Sequence, residues 1–170
     1  MIVGIDLALT TTGFATLTAT GALAWGRIPP PGSRHPIGER LDHLRQHTKS
    51  LAVGAELVVE GTVVRSSAAV ALGQVHGAVL HGLWELGSRV VVVSPATVKT
   101  LATGRGNAPK PDVRGAARNG LGYTGESDDE ADACWLADLG GRLLGFDRPA
   151  LPQVHLRALA KVTGWSSTAA

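Results

Sequence analysis

The chain has 170 residues, 44% hydrophobic but only 4% aromatic, with a net charge of +2. That is enough for one domain with an aliphatic core, and it argues against disorder. No apolar run approaches the roughly 18 residues of a membrane span, the N-terminal residues lead us to expect no signal peptide, and the lone Cys134 excludes an internal disulfide, which fits a reducing cytoplasm.

Met1 to Leu9 is a short apolar run of the kind that forms a strand buried on both faces. Thr11 to Ala19 alternates and is rich in β-formers, and Ala22 to Ile28 returns after a Thr20-Gly21 turn. The spacing predicts a three-stranded antiparallel meander, broken by Pro29 to Ser33. Ile37, Leu41, Leu44 and Leu51 predict an amphipathic helix over 37–53. Leu57-Val-Val reads as a buried strand, Ser66 to Leu86 as a long helix, and Arg89 to Val93 as another strand. Pro95 opens a helix covering Thr97 to Ala102. Thr103 to Pro111 is a loop, and a helix runs from about Asp112 to Asn119. Ser127 with Glu130 three residues later is a capping box that starts a helix reaching about Leu144. Glu126, Asp128 and Glu130 are assigned to that helix start. A short helix near Gln153 to Val162 is an appendage. The expectation is a single domain over 1–170 of the α/β class: a mixed five-stranded sheet, three antiparallel strands then two parallel, with helices on both faces.

Four carboxylates stand out against this plan. Asp6 and Glu60 end predicted strands that pair in parallel, while Asp129 and Asp132 are three apart and share a helix face. Carboxylates at strand ends and on one helix face can converge on a pair of hard divalent cations, Mg²⁺ or Mn²⁺, for phosphodiester hydrolysis. Around them, Lys99, Arg105, Lys110, Arg114 and Arg118 face only Asp112, a local basic block of the kind that meets phosphates. Lys99 and Lys110 are placed to neutralise a scissile phosphate. The six histidines show no metal-ligand spacing and receive no role, and Cys134 reads as a small buried hydrophobe.

Six segments resemble the RuvC-type Holliday junction resolvases, especially their phage and actinobacterial relatives. They are Gly4-Ile-Asp-Leu-Ala-Leu-Thr-Thr-Thr-Gly13, Val58-Val-Glu-Gly, Leu72-Gly-Gln-Val-His-Gly77, Ser94-Pro-Ala-Thr-Val-Lys-Thr100, Gly104-Arg-Gly-Asn-Ala-Pro-Lys110 and Asp129-Glu-Ala-Asp-Ala133. The resemblance implies a ribonuclease H-like fold, a homodimer, and Mg²⁺-dependent paired nicking of four-way DNA junctions in recombination and repair. It makes Asp6, Glu60, Asp129 and Asp132 ligands of two ions, and Lys99 and Lys110 the basic pair near the scissile phosphate. Arg65, Arg105 and Arg114 join these lysines as candidate DNA contacts. The chain departs from the family in having Leu7 after Asp6, and in lacking an aromatic wedge in Thr62-Val-Val-Arg65. Gly73 and Gly77 on the long helix allow close packing, either on its own sheet or on a partner. The competing readings are a fork, flap or less specific nuclease of the same fold, an actin-like phosphate-binding ATPase, and a non-catalytic junction-binding protein.

Overall fold

The computed structural model describes residues 1–29, 31–61 and 69–163. Strands β1 (Ile2–Asp6), β2 (Thr12–Leu17) and β3 (Leu23–Ile28) form the antiparallel meander, and β4 (Glu56–Glu60) and β5 (Val90–Val93) extend it in parallel. The lateral order is β3-β2-β1-β4-β5. The mixed sheet expected from the sequence is therefore present. The segment 62–68, which holds Arg65, the wedge position and the expected first residues of the long helix, lies outside the described residues.

Strand periodicity assigns each sheet residue to a face. Ile2, Ala15, Leu17 and Val58 pack on one side with α3 (Pro95–Thr103), α4 (Lys110–Leu121) and α5 (Asp128–Leu143). Val3, Ile5, Leu57 and Val59 pack on the other with α1 (Ile37–Ala52) and α2 (Ala69–Glu85). Since Ile2 and Val58 face α5, Asp6 and Glu60 face it too, two steps of two residues and one step further along. Parallel pairing of β1 with β4 brings their carboxyl ends to the same sheet edge.

Helix α5 lies close against the sheet because two glycines let it. A Cβ on Gly4 would run into the backbone of Ala133 and Ala137, and one on Gly13 into the carbonyl of Asp129. The first turn of α5 is thereby seated on β2, directly across from Asp6, which pairs with Gly13.

The local stops and starts follow their chemistry. Ser94 caps α3 by accepting from the Thr97 N–H at 3.2 Å, with Pro95 in the first turn, and Gly104 at φ 77° ends it. Helix α4 starts at Lys110, two residues before the expected Asp112, because Pro111 is itself well suited to a first turn. Ser127 caps α5 as expected. The last expected helix is instead a four-residue α6 (Gln153–Leu156) and a 3₁₀ turn at Leu159–Lys161. His155 Nδ1 meets the Leu101 carbonyl at 2.9 Å and ties α6 to α3. Among the described residues no helix is long and apolar enough to cross a membrane.

Candidate active site

At the carboxyl ends of β1 and β4, a cleft of about 300 Å³ is lined by Asp6, Glu60, Asp129, Asp132, Lys99 and Lys110, together with His76. The structure thus brings together all four carboxylates and both lysines singled out from the sequence. Three of these carboxyls are strongly perturbed. Burial, then the charge of Asp6, lifts Asp132 to about 7. Burial also raises Asp6 and Glu60, and their mutual repulsion adds to the rise in Glu60. These two share a hydrogen bond that favours the charged form of Asp6 and the neutral form of Glu60, so Glu60 is the proton donor.

Lys110 balances part of this charge. Its Nζ lies 3.5 Å from Asp129 Oδ1. Burial works against its charge, but Asp132, Asp129 and Asp6 overcome that and raise its pKa. The donor set is carboxylate oxygen throughout, which suits a hard divalent cation. Among the described residues, no three His, Cys, Asp or Glu side chains converge as they stand on a point that would hold one ion. The carboxylates ring the cleft, with Lys110 among them.

The other basic candidates are placed differently. Arg105 is exposed and pairs with Asp112 at 2.8 Å. Arg114 bonds Asp128 at 3.0 Å and the Glu126 carbonyl at 2.7 Å, and Arg118 bonds Glu126 at 2.7 Å. These two arginines fasten α4 to the loop that leads into α5. Part of the basic block is therefore engaged in positioning the helix that bears Asp129 and Asp132. Arg65 lies outside the described residues.

Two residues take roles that their sequence context hides. The spacing of His76 suggests no role, yet its Nε2 lies 2.6 Å from the Glu60 carbonyl and its Nδ1 2.9 Å from the Leu72 carbonyl, clamping α2 to the end of β4. Only its place 16 residues after a strand-end carboxylate hints at this. Glu130 reads in sequence as part of a capping box. Its carboxylate is instead buried, accepts from the Tyr123 hydroxyl at 2.8 Å and faces Arg27 at 3.3 Å. The backbone N–H of Glu130 still reaches the Ser127 hydroxyl at 3.5 Å, so the cap keeps one of its two arms. The Cys134 thiol is fully buried and pushed up to about 12 by that burial, as befits an inert core residue.

No protein-family model matches the chain. Among curated proteins, a "Crossover junction endodeoxyribonuclease RuvC" of Xanthobacter autotrophicus is 36% identical over 124 residues, covering 66% of this chain and 72% of that protein. The RuvC of Hyphomonas neptunium is 33% identical over 144 residues, 78% of this chain and 84% of that one. The chain belongs to the RuvC family of crossover junction endodeoxyribonucleases. Among solved structures, Thermus thermophilus RuvC matches this RuvC-family chain with a TM-score of 0.69 at 24% identity, over 88% of this chain and 99% of that one. The T. thermophilus protein in complex with a Holliday junction substrate matches with a TM-score of 0.68 at 22% identity, over 88% and 98%. The fold is the ribonuclease H-like one expected. Family membership sets aside the actin-like ATPase reading.

Two expected results follow from the geometry of this RuvC-type cleft. Gly13→Ala should push the first turn of α5 off the sheet and misplace Asp129 and Asp132. Displacements near 1 Å at a catalytic constellation cost about 100-fold in rate. Cleavage kinetics of the folded variant, checked by circular dichroism, test this; a wild-type rate would show that the contact does not position the site.

The second result concerns pH. The carboxyls of Asp6, Glu60 and Asp132 are raised from 3.8, 4.5 and 3.8 to about 6, 9 and 7. Between about pH 4 and 9 the folded protein therefore binds more protons than the unfolded chain, so stability falls as pH rises. The metal-free protein should be most stable near the acid end of this window and lose thermal stability towards the alkaline end. Glu60→Gln should flatten the decline, as should added Mg²⁺ or Mn²⁺. A melting temperature that rises across the same window without metal would contradict this.

Proposed function

We propose that the chain is a divalent-metal-dependent endodeoxyribonuclease that resolves four-way DNA junctions by paired symmetric nicks, acting as a single cytoplasmic nuclease domain. The observation that carries this reading is the cleft that unites Asp6, Glu60, Asp129 and Asp132 with Lys99 and Lys110 in a chain of the RuvC family. Its curated relatives are named crossover junction endodeoxyribonucleases, and a T. thermophilus neighbour was solved on a Holliday junction.

The four carboxylates would hold two Mg²⁺ ions, with Mn²⁺ as a substitute. When bound, such ions activate a water and stabilise the leaving oxygen of the phosphodiester. For this the proton shared by Asp6 and Glu60 would have to leave, so metal binding would release protons. Lys110, 3.5 Å from Asp129, and Lys99, which lines the same cleft without an ion pair among the described residues, would neutralise the scissile phosphate.

Two nicks need two clefts, and a symmetric homodimer supplies them. Support for a dimer comes from α2. Its outer face exposes Val70 at 79% and Trp84 at 74%. Among the described residues, nothing lies within 4 Å of where a Cβ on Gly73 or Gly77 would be, so they do not serve packing on the chain's own sheet. Apolar side chains beside bare helix backbone suit a second copy of the helix.

The test is purified protein with labelled four-way junction, fork, flap and duplex DNA, with and without Mg²⁺. Metal-dependent, symmetric cutting of the junction is expected. Preferential cutting of forks or flaps would favour the less specific nuclease, a reading that the absence of an aromatic residue in Thr62-Val-Val-Arg65 supports. Metal-independent binding without any cutting would favour a non-catalytic junction-binding protein.

A further inference from the structure

Sheet register places Arg27 in the same lateral row as the catalytic carboxylates. Asp6 pairs with Gly13, and Gly13 pairs with Arg27 on β3. Face parity agrees: Leu23 and Trp25 on β3 pack towards the α5 side, and Arg27 is two residues further on. Arg27 thus stands two strand spacings, about 10 Å, from Asp6 along the row. Gly13 lies between them, and the first turn of α5 fills the space that its missing side chain leaves. From that turn Asp129 lines the cleft with Asp6, while Glu130, the next residue, points the other way to Arg27.

A second opening, of about 480 Å³, lies on that far side and is lined by Thr11, Arg27, Pro29 and Glu130. The Arg27 side chain is 58% exposed there, and its Nε is the nitrogen that faces Glu130 Oε1, at 3.3 Å. The other Glu130 oxygen is held by the Tyr123 hydroxyl, and Tyr123 is itself wedged edge-on against Trp25. The carboxylate that orients Arg27 is therefore fixed. The planar guanidinium keeps further N–H donors for a second anion, the geometry that suits a phosphate.

We propose that Arg27, oriented by Glu130 and accompanied by Thr11, binds a backbone phosphate of the strand being cut, on the side of the carboxylates opposite to Lys99 and Lys110. This rests on the reading of the chain as a DNA-cleaving enzyme and extends it: cationic side chains then flank the acidic cleft on both sides, and the strand crosses it from Arg27 to the lysines. Arg27 binds DNA but touches no reacting atom.

The experiment is binding to a four-way junction at several salt concentrations, without divalent metal, for the wild type, Arg27→Gln and Arg27→Lys. One lost phosphate contact lowers the salt slope by about 0.9. Arg27→Gln should therefore show a slope smaller by about that amount and an affinity lower by about 3- to 10-fold at moderate salt. Arg27→Lys should keep the wild-type slope. Thermal unfolding of both should stay near wild type, since Arg27 is largely exposed and the buried Glu130 carboxylate keeps the Tyr123 hydroxyl as a donor. A slope unchanged in Arg27→Gln, with junction binding by the wild type intact, overturns the inference alone and leaves Arg27 as a strut between β3 and α5. Failure of the wild type to bind the junction would overturn the proposed function instead.

Discussion

Asp132→Asn is expected to reduce junction cleavage by more than about 100-fold and to leave junction binding intact. The side chain sits in the first turns of α5, only 7% exposed, against Asp6, Asp129 and Lys110. An amide keeps the shape but supplies no anionic oxygen. Loss of a group that merely orients a metal ligand costs about 10- to 100-fold, so loss of a ligand itself should cost more. Binding relies on cationic contacts to phosphate, which the substitution leaves in place, and removing one of several crowded carboxylates should ease binding slightly. The metal-free variant should also melt higher than wild type at neutral pH, since it no longer confines that charge. Single-turnover cleavage and a gel-shift titration would check both halves. A variant that cuts at the wild-type rate would remove Asp132 from the metal site.

Asp138→Ala is expected to cost about 3–5 kcal/mol of stability, the penalty for stripping one partner from a buried ion cluster. Asp138 is fully buried in α5, one oxygen 2.6 Å from Arg142 Nε and the other 2.7 Å from Arg148 Nε. Arg142 also donates to the Pro149 carbonyl at 2.7 Å. The carboxylate thus joins the last turns of α5 to the segment after it, and without it two nearly buried guanidinium groups would face each other unpaired. Urea denaturation would measure the loss, and Asp138→Asn, which keeps some hydrogen bonding, should lose less. A cost below about 1 kcal/mol would show that water replaces the carboxylate readily. The site lies towards the opposite end of the same helix from Asp129, so the surviving folded fraction should still bind metal.

Much of the active cleft is legible without coordinates because its residues sit at points that sequence marks plainly. Asp6 and Glu60 close apolar runs, and Asp129 and Asp132 follow a Ser127 cap, so strand ends and a helix start can be located from local pattern alone. The elements that blur are those with weak local signals. Helix α4 begins earlier than expected because Pro111 tolerates a first turn as well as a loop, and the terminal helix is shorter because α6 depends on docking to α3 through His155. Glu130 is ambiguous because a capping box and a buried ion-pair acceptor look alike in one dimension. What separates them is Arg27, far away in the chain and reached through the register of β2 and β3.

By itself the sequence determined most of the strand and helix content, the position of Asp6 and Glu60 at strand ends, and the three-residue spacing that pairs Asp129 with Asp132. These are local consequences of backbone periodicity. Only the tertiary structure decided which groups share an environment. Parallel pairing of β1 and β4 put two strand ends side by side, and Gly4 and Gly13 let α5 descend onto them. That approach buries Asp6, Glu60 and Asp132 enough to raise their pKa values, draws Arg114 and Arg118 into fastening the α5 entry loop, and brings Glu130 to Arg27. Charge density and desolvation depend on distances through space, and those are set by packing rather than by spacing along the chain.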